Sequence, residues 1–350
     1  MGYNILGINT SHNGSVCVLV DGKIDFFLEE DRITRMKHDS IPTKLLSYIS
    51  QKYNIDEVAI SGVYDFPFKG IGDEFLVSII SKYFLTSPKT LFLDRHHTTH
   101  TSISFFNSNF KEAIGIVIDG AGTKIKNKWE TESVYKLSYK QSPIPIYKSY
   151  RNNDEPYPLV SFNRVYDNIT EYLGFVQFCE AGKTMGLSSY GKLNSNIPPL
   201  YIKGKGNPEV FTPILNTPSS KLSLKSKTFF DNNDNKQFKF DLAYHVQQES
   251  QKYAGDWIEK AIQETGIKQV CCSGGYFLNC VANYYLTKRF PDVEFYFEPI
   301  SSDAGNAIGA AKLLWYQITQ DKTIRPQKTI YYGPKYSKKD LLNGIQKYLD

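Results

Sequence analysis

The chain has 350 residues and a formal net charge of +5, and its apolar and charged contents of 41% and 22% are ordinary for a globular protein. It contains no apolar run long enough to span a membrane, and its N-terminus enters a strand pattern without the features of a signal peptide. Because the five cysteines form no CxxC pair, we expect reduced thiols and a cytoplasmic protein that contacts no membrane.

The first elements predict a small antiparallel unit. Residues 3–9 have the pattern of a buried strand, and residues 15–28 that of a hairpin with Asp21-Gly22 as its turn. The link at 10–14 is small and polar, so its backbone N–H groups can approach an anion. A helix near 43–53 and a strand at 58–63 follow.

A similar unit begins near residue 113. Residues 113–118 predict a strand, 119–123 a tight glycine loop, and 133–139 a returning strand. Two such units about 110 residues apart indicate two related lobes that face one cleft. We therefore expect a first lobe at 1–111 and a second at 112–350.

The rest of the chain alternates between strands and helices, which favours the α/β class. Residues 192–240 lack periodicity and predict an irregular insertion. The predicted elements that follow are a long helix from Asp241 to about Glu264, a strand at 269–272, a helix after Gly274-Gly275, a strand at 293–297 and a final helix at 304–314 that Asp303 caps.

The segment His96-His-Thr-Thr-His100 is the most informative one. Residues at i and i+4 lie on one helix face, so His96 and His100 can direct their imidazoles at one metal ion. Histidines also fall at this spacing by chance, and His97 points elsewhere, toward a carboxylate or a substrate. The spacing alone leaves the metal open.

Two aspartates at element ends offer further ligands. Asp119 follows an apolar strand and precedes a glycine loop, where it either ligates a metal or forms an Asx turn. Asp303 precedes a helix rich in Ala and Gly, where capping is its default role. The start of such a helix is also a place where a phosphate and its metal can approach.

Three other segments contain residues suited to binding. Gly274-Gly275 allows close backbone approach by a nucleotide base or ribose. His12 and Lys37 place a donor and a cation near the first polar loop, although the run around Lys37 is also typical of an exposed charged segment. Residues 180–191 are flexible and glycine-rich but do not form a Walker A loop.

Taken in order, six motifs resemble those of the O-carbamoyltransferases that act on nodulation factors, cephalosporins and tobramycin. The resemblance extends to the tRNA threonylcarbamoyl-transfer protein TsaD and implies a two-lobed actin-like ATPase fold with the ligand cleft between the lobes. The matching motifs are LGINTSHNGS at 6–15, EEDRITRMKHDSIP at 29–42, HHTTH with its following strand at 96–123, EAGKTMGLSSYG at 180–191, CSGGYFLNCVAN at 272–283 and PISSDAGNAIGAA at 299–311.

The resemblance implies roles for these residues. It makes His96, His100, Asp119 and Asp303 a divalent metal set, with Fe²⁺ favoured over Mn²⁺, Mg²⁺ or Zn²⁺. His12 and Lys37 correspond to catalytic positions that hold the carbamoyl group. The resemblance assigns nucleotide or cofactor binding to Gly120, Gly122, Lys183, Gly274, Gly275, Asn279 and Asn306.

The implied activity is transfer of a carbamoyl group from carbamoyl phosphate, or from carbamoyladenylate made with ATP, to a hydroxyl group. The acceptor class stays open among small molecules, sugars, nucleosides and a hydroxymethylated DNA base. A TsaD-like tRNA transferase and a non-catalytic nucleotide-binding subunit are the alternatives. The chain ends soon after Gly333-Pro334, near where the family's YrdC-like domain would begin, so we expect that domain to be absent, with a separate activating protein as a candidate partner.

Overall fold

The fold was obtained as a computed structural model with two mixed β-sheets and helices around them. Much of the predicted insertion at 192–240 lies outside the residues that the structure describes. No helix in the described ranges is long and apolar enough to cross a membrane. The structure describes residues 2–62, 73–84, 89–92, 96–125, 128–152, 162–203, 211–213 and 235–348.

The first sheet has the strand order β3-β2-β1-β4-β5. β1 pairs antiparallel with β2 and parallel with β4, which makes the sheet mixed. The predicted hairpin is confirmed: Asp21 and Gly22 both adopt positive φ, as a two-residue turn between twisted strands requires. The strands are β1 (Asn4–Asn9), β2 (Ser15–Val20), β3 (Lys23–Glu29), β4 (Glu57–Ser61) and β5 (Lys89–Phe92).

The second sheet has the order β13-β12-β6-β8-β7, with β9 paired to β8. β6 pairs antiparallel with β8, which is the predicted returning strand. On its other side, β6 pairs parallel with β12, which is distant in the chain. Its strands are β6 (Glu112–Ile118), β7 (Lys124–Ile125), β8 (Lys128–Ser138), β9 (Gln141–Asn152), β12 (Gln269–Ser273) and β13 (Glu294–Phe297).

The segment predicted as an irregular insertion includes a short two-stranded ribbon. β10 (Tyr201–Lys203) and β11 (Phe211–Pro213) form a two-stranded ribbon, and strands of three residues are too short to show periodicity. The long helix begins five residues before the predicted start because Asn235 caps it, its side chain accepting from the backbone N–H of Phe238 at 3.0 Å.

The helices pack against these sheets. Ten are described: α1 (Asp31–Thr34), α2 (Thr43–Ser50), α3 (Asp73–Tyr83), α4 (His96–Asn107), α5 (Phe162–Tyr172), α6 (Ala181–Leu187), α7 (Lys236–Thr265), α8 (Cys280–Arg289), α9 (Asn306–Thr319) and α10 (Lys338–Gln346). The prediction that α9 is the final helix is therefore wrong, because α10 follows it.

The capping role predicted for Asp303 is wrong. Ser302 precedes a 3-10 turn at Asp303–Gly305, and α9 begins only at Asn306. The carboxylate of Asp303 instead contacts histidine side chains. The local sequence allowed both arrangements, and the tertiary partners of Asp303 decide between them.

Helix α9 returns to the first sheet although the predicted division places it in the second lobe. Ala307, Ile308 and Ala311 share a buried cluster with Ile5 and Ala59 of that sheet. Gly7 makes this approach possible, because a Cβ at that position would lie 1.9 Å from the carbonyl oxygen of Ala307. The segment before α9 is thereby held beside β1.

Helix α4 also lies against α9 with its backbone close. A Cβ at Gly309 would lie 2.1 Å from the carbonyl oxygen of Thr99, and every residue of α4 is buried. Ser273, at the end of β12, donates to the carbonyl oxygen of His100 at 2.7 Å. The helix that contains the histidines is therefore fixed between α9 and the second sheet.

Candidate metal centre

Three separate elements bring four ligand-bearing side chains to one point. His96 and His100 occupy the first two turns of α4, Asp119 follows the last residue of β6, and Asp303 begins the turn before α9. Each of the four offers one ligand atom, and these atoms all lie within 4.8 Å of one another. All four residues are buried.

The ligand atoms of the two imidazoles and the two carboxylates lie close to one another. The Nε2 atoms of His96 and His100 are 3.1 Å apart. Asp119 Oδ2 lies 3.2 Å from His96 Nε2, and Asp303 Oδ1 lies 3.3 Å from His100 Nε2. Two imidazoles with two carboxylates form the ligand set that a first-row divalent ion accepts.

The charge balance of this cluster favours a cation. Burial lowers the pKa of His96, but the charge of Asp303 and hydrogen bonds with Asp119 and Asp303 raise it to about 10. Burial raises the pKa of both carboxyl groups, yet the histidines keep each below its ordinary value. The residues present therefore fit a divalent ion, which would replace the protons on the imidazoles.

Backbone and side-chain contacts orient the ligands. Gly275 donates its backbone N–H to Asp119 Oδ1 at 3.2 Å, so the glycine junction contacts a member of the metal set. Gly274, with φ of 97°, lies so close to β6 that a Cβ there would be 2.3 Å from the carbonyl oxygen of Ile118. The fully buried Asn306 lies between Thr99 and His96.

Of the two residues predicted to be catalytic, the structure brings His12 to this centre. Its Nδ1 lies 3.1 Å from Asp303 Oδ2, and its side chain is 46% exposed. Burial lowers the pKa of His12, but the neighbouring charge of Asp303 leaves it raised. Lys37 instead donates from Nζ to the carbonyl oxygen of Cys179 at 3.4 Å.

The glycine loop after β6 packs on the neighbouring histidine. Gly122 donates to the carbonyl oxygen of Glu130 at 2.8 Å, and a Cβ on it would lie 2.6 Å from the His97 ring. Gly120 precedes it in the same loop. The Nδ1 of His97 lies 2.8 Å from Ser133 Oγ and 3.9 Å from a Glu130 oxygen, so this ring faces a carboxylate, as predicted for it. Burial lowers the pKa of His97 to about 4.

Two other residues predicted to bind the nucleotide contact neighbours outside the metal set. The exposed Lys183 pairs with Glu180. The side chain of Asn279 accepts from the backbone N–H of Ala282 at 3.0 Å, and its amide nitrogen donates to Gln247 at 2.9 Å. Asn279 therefore caps α8 in addition to any contact with a ligand.

Sequence reasoning missed two contacts near the centre. His38 Nε2 lies 3.1 Å from the Sγ of Cys179, which is 141 residues away in the chain. The ring of His38 lies 5.4 Å, centre to centre, from that of His12. Contacts over such separations leave no local signal in a single sequence.

The mixed sheets, the embedded α4 and the buried His-His-Asp-Asp cluster define an α/β protein with a candidate metal centre between its two sheets. The family model "Carbamoyltransferase N-terminus" matches residues 74–312, which is more than half of the chain. The chain belongs to this family.

The chain is also similar to longer proteins over most of its length. The chain is 27% identical to protein sll1178 of Synechocystis over 97% of its own length and 62% of that protein. It is 22% identical to the nodulation protein NolNO of Sinorhizobium fredii over 92% of its own length and 49% of that protein. The chain thus spans about half to three fifths of the length of these relatives.

Solved structures support the fold. Full-length HypF in its phosphate- and nucleotide-bound form matches 91% of this chain and 56% of its own, with a TM-score of 0.59 and 15% identity. HypF of T. kodakarensis matches 93% of this chain and 49% of its own, with a TM-score of 0.56 and 13% identity. The fold class that the sequence predicted is confirmed.

Proposed function

We propose that this protein is a metal-dependent O-carbamoyltransferase, which moves a carbamoyl group from carbamoyl phosphate or carbamoyladenylate to a hydroxyl group. The single observation that supports this most strongly is the buried His96, His100, Asp119 and Asp303 cluster with His12 beside it. Membership of the carbamoyltransferase family and the similarity to NolNO supply the reaction class.

A divalent cation held by the four ligands would neutralise the donor phosphate and stabilise the charge of the leaving group. His12 lies at the exposed side of the cluster with Nδ1 facing Asp303, and as an imidazolium it would donate a hydrogen bond from Nε2. We assign to His12 the polarisation of the carbamoyl oxygen, where charge develops during attack. We assign to Lys37, which donates to the carbonyl oxygen of Cys179, the role of a second cation that would bind the carbamoyl donor.

At the carbamoyl carbon, one bond forms and one bond breaks, and the acceptor hydroxyl also loses its proton. The acceptor oxygen attacks the carbamoyl carbon, the carbon–oxygen bond to phosphate breaks, and phosphate or AMP leaves with the bonding electron pair. The hydroxyl proton passes to a base that the geometry does not single out. His97 is neutral at physiological pH, since its pKa is about 4, but it contacts Ser133 and Glu130.

The activating chemistry requires a further partner in this proposal. We propose that a YrdC-like domain or protein makes carbamoyladenylate from carbamoyl phosphate and ATP, with release of phosphate and diphosphate, and delivers it to the cleft. Helix α10 offers a surface for it, because Leu341, Leu342 and Ile345 are each more than half exposed. Nucleotide binding by Gly120, Gly122, Lys183 and Asn279 belongs to the same proposal.

The test uses mass spectrometry. The metal-loaded protein is incubated with carbamoyl phosphate, with or without ATP and a YrdC-like protein, together with hydroxyl compounds from each acceptor class. We expect one acceptor to gain a single carbamoyl group. Gain with carbamoyl phosphate alone would show that the activating step is dispensable, and gain on an adenosine amine would instead favour a TsaD-like activity. No transfer to any acceptor with either donor would contradict the proposal.

The identity of the metal needs its own measurement. Two histidines and two carboxylates favour iron or another first-row ion, and we propose Fe²⁺ ahead of Mn²⁺, Mg²⁺ and Zn²⁺. Elemental analysis of protein purified without added metal, followed by reconstitution with each ion, distinguishes them. Transfer that is highest with Mg²⁺ and absent with Fe²⁺ would overturn this order.

A further inference from the structure

Asn306 occupies a position from which it can set the protonation of one metal ligand. It is the first residue of α9 and is fully buried. Its amide lies between two partners, with Oδ1 2.9 Å from Thr99 Oγ1 and Nδ2 3.4 Å from His96 Nδ1. His96 Nδ1 is the ring nitrogen opposite Nε2, which faces the other three ligands.

The hydroxyl of Thr99 decides which amide atom faces it. Thr99 Oγ1 lies 2.7 Å from the carbonyl oxygen of His96 and 2.9 Å from Ser61 Oγ. A threonine hydroxyl has one hydrogen, and a carbonyl oxygen can only accept. The hydrogen therefore goes to the His96 carbonyl at the shortest of these distances, and Thr99 must accept from Asn306. Only the amide NH₂ group can donate to it.

That choice fixes the other end of the amide. The oxygen and nitrogen of an asparagine side chain have nearly the same shape, so a half-turn of the amide exchanges them and preserves both contacts. With NH₂ toward Thr99, the amide carbonyl faces His96 Nδ1, and this nitrogen must then carry a hydrogen. The lone pair of Nε2 becomes free for a cation.

We propose that Asn306 is a positioning residue for the metal centre: its side-chain carbonyl accepts a hydrogen bond from Nδ1–H of His96 and fixes that imidazole as an Nε2 ligand. This inference rests on the proposed metal site and gives Asn306 a role at His96 in place of the cofactor contact expected from the family resemblance. Metal-bound histidines commonly have such a partner, and its removal weakens metal binding by about 10- to 100-fold.

The second histidine differs from the first in this respect. The Nδ1 of His100 is buried and has no hydrogen-bond partner among the described residues. Of the two imidazoles, only His96 thus has a side-chain partner at its outer nitrogen within the described part of the chain. A change at Asn306 is therefore expected to act through His96.

The test compares Zn²⁺ affinity among four proteins by competition with a chromophoric chelator. Asn306→Asp keeps an acceptor oxygen toward His96, whereas Asn306→Leu has a similar volume and no acceptor. Asn168→Leu is the matched control, because Asn168 is a buried asparagine on α5 whose side chain accepts from Gln177 at 2.8 Å. Circular dichroism checks that each variant is folded.

We expect Asn306→Leu to bind Zn²⁺ about 10- to 100-fold more weakly than the wild type, while Asn306→Asp and Asn168→Leu bind as tightly as the wild type or better. Unchanged affinity in Asn306→Leu would overturn the inference. So would a loss in Asn306→Asp as large as that in Asn306→Leu, since it would make the amide nitrogen the essential group. A wild type that binds no metal would instead overturn the proposed metal site itself.

A second measurement keeps the inference testable if Asn306→Leu does not fold. Nitrogen-15 NMR of the Zn²⁺-loaded wild-type protein distinguishes the two ring nitrogens of each histidine. We expect a proton on His96 Nδ1 that exchanges slowly with water because it is hydrogen-bonded. A His96 Nδ1 that carries no proton, or whose proton exchanges as fast as one without a partner, would contradict the inference.

Discussion

One carboxylate joins His12 to the candidate metal centre. Asp303 directs Oδ2 to His12 Nδ1 at 3.1 Å and Oδ1 to His100 Nε2 at 3.3 Å. In the proposed mechanism, the residue that would hold the carbamoyl group therefore shares an anion with the residues that would hold the metal.

The first prediction separates these two roles. Replacing His12 by Ala should reduce the rate of carbamoyl transfer by about 10²- to 10³-fold, because it removes a donor to the developing oxyanion. The same variant should keep its metal, since His12 is not one of the four ligands. Turnover measured with metal content on the same sample checks both, and a His12→Ala protein that lost its metal would make His12 a ligand instead.

The second prediction concerns the glycine that lets α9 approach the first sheet. Gly7→Ala would place a methyl group 1.9 Å from the carbonyl oxygen of Ala307, so the helix must shift. We expect the free energy of unfolding to fall by about 1–3 kcal/mol or more, as for other overpacked sites. Gly182→Ala is the control, because nothing lies within 4 Å of the added atom, and thermal unfolding of both variants makes the comparison. Equal stability of Gly7→Ala and wild type would refute the close contact.

The third prediction is a pH dependence of stability from Lys312. Burial lowers the pKa of Lys312 from 10.5 to about 8, although Glu298 opposes this shift. Between these pH values the unfolded chain binds more protons than the folded one, so the contribution of Lys312 to stability rises with pH across this window. Its charged amine donates to the carbonyl oxygen of Phe106 at 3.0 Å and to Asn107 at 2.7 Å.

Lys312→Met isolates this contribution. Inside the window, the free energy of unfolding of the wild type minus that of the variant should rise by roughly 1.4 kcal/mol per pH unit. Below pH 8 the difference should be constant, because Lys312 is then charged in both states. Denaturant titrations at several pH values measure it, and a constant difference from pH 7 to 11 would show that the folded-state pKa is ordinary.

The fourth prediction concerns thiol reactivity. Cys17, Cys271 and Cys272 are fully buried, and burial raises the pKa of each thiol, so they should resist alkylation. Cys179 is partly exposed, and its Sγ lies 3.1 Å from His38 Nε2, close enough for the imidazole to hydrogen-bond to a thiolate. We expect iodoacetamide to label Cys179 several-fold faster than the exposed Cys280.

Replacing His38 by Phe tests the cause of that reactivity. Peptide mass spectrometry should show the Cys179 rate falling to that of Cys280, whose Sγ lies 3.9 Å from the sulfur of Met185. If Cys179 reacts at the same rate in both proteins, the imidazole does not activate it. Because Cys280 is measured in the same sample, a general change in reagent or folding is excluded.

Local patterns predicted several strands of both sheets, whereas the family resemblance supplied the membership of the proposed metal set. The hairpin at Asp21-Gly22 and the i, i+4 spacing of the two histidines each follow from rules that act over a few residues. The start of α7 was not predicted correctly. Residues 231–235 are all Asp or Asn, so each of them could cap the helix. The role of Asp303 required knowledge of His12, which is almost the whole chain away.

The contacts around the centre could not be predicted from the sequence either, because they join residues that are far apart in the chain. Thr99 and Asn306 are 207 residues apart, and their hydrogen bond depends on the packing of α4 against α9. The metal roles of the four ligands remain a proposal, although the structure brings them together. Their burial and charge give that proposal a physical basis that spacing alone lacked.

The central claim is that the metal held by His96, His100, Asp119 and Asp303 is required for carbamoyl transfer. The most direct test measures metal content and transfer together in wild type, His96→Ala and His97→Asn. The His97→Asn variant is the neighbouring control, because its new amide keeps a polar group toward Ser133.

We predict that His96→Ala loses both metal and transfer, that His97→Asn keeps its metal, and that chelation abolishes wild-type transfer until the ion is restored. Wild-type metal content and wild-type transfer in His96→Ala would contradict the account.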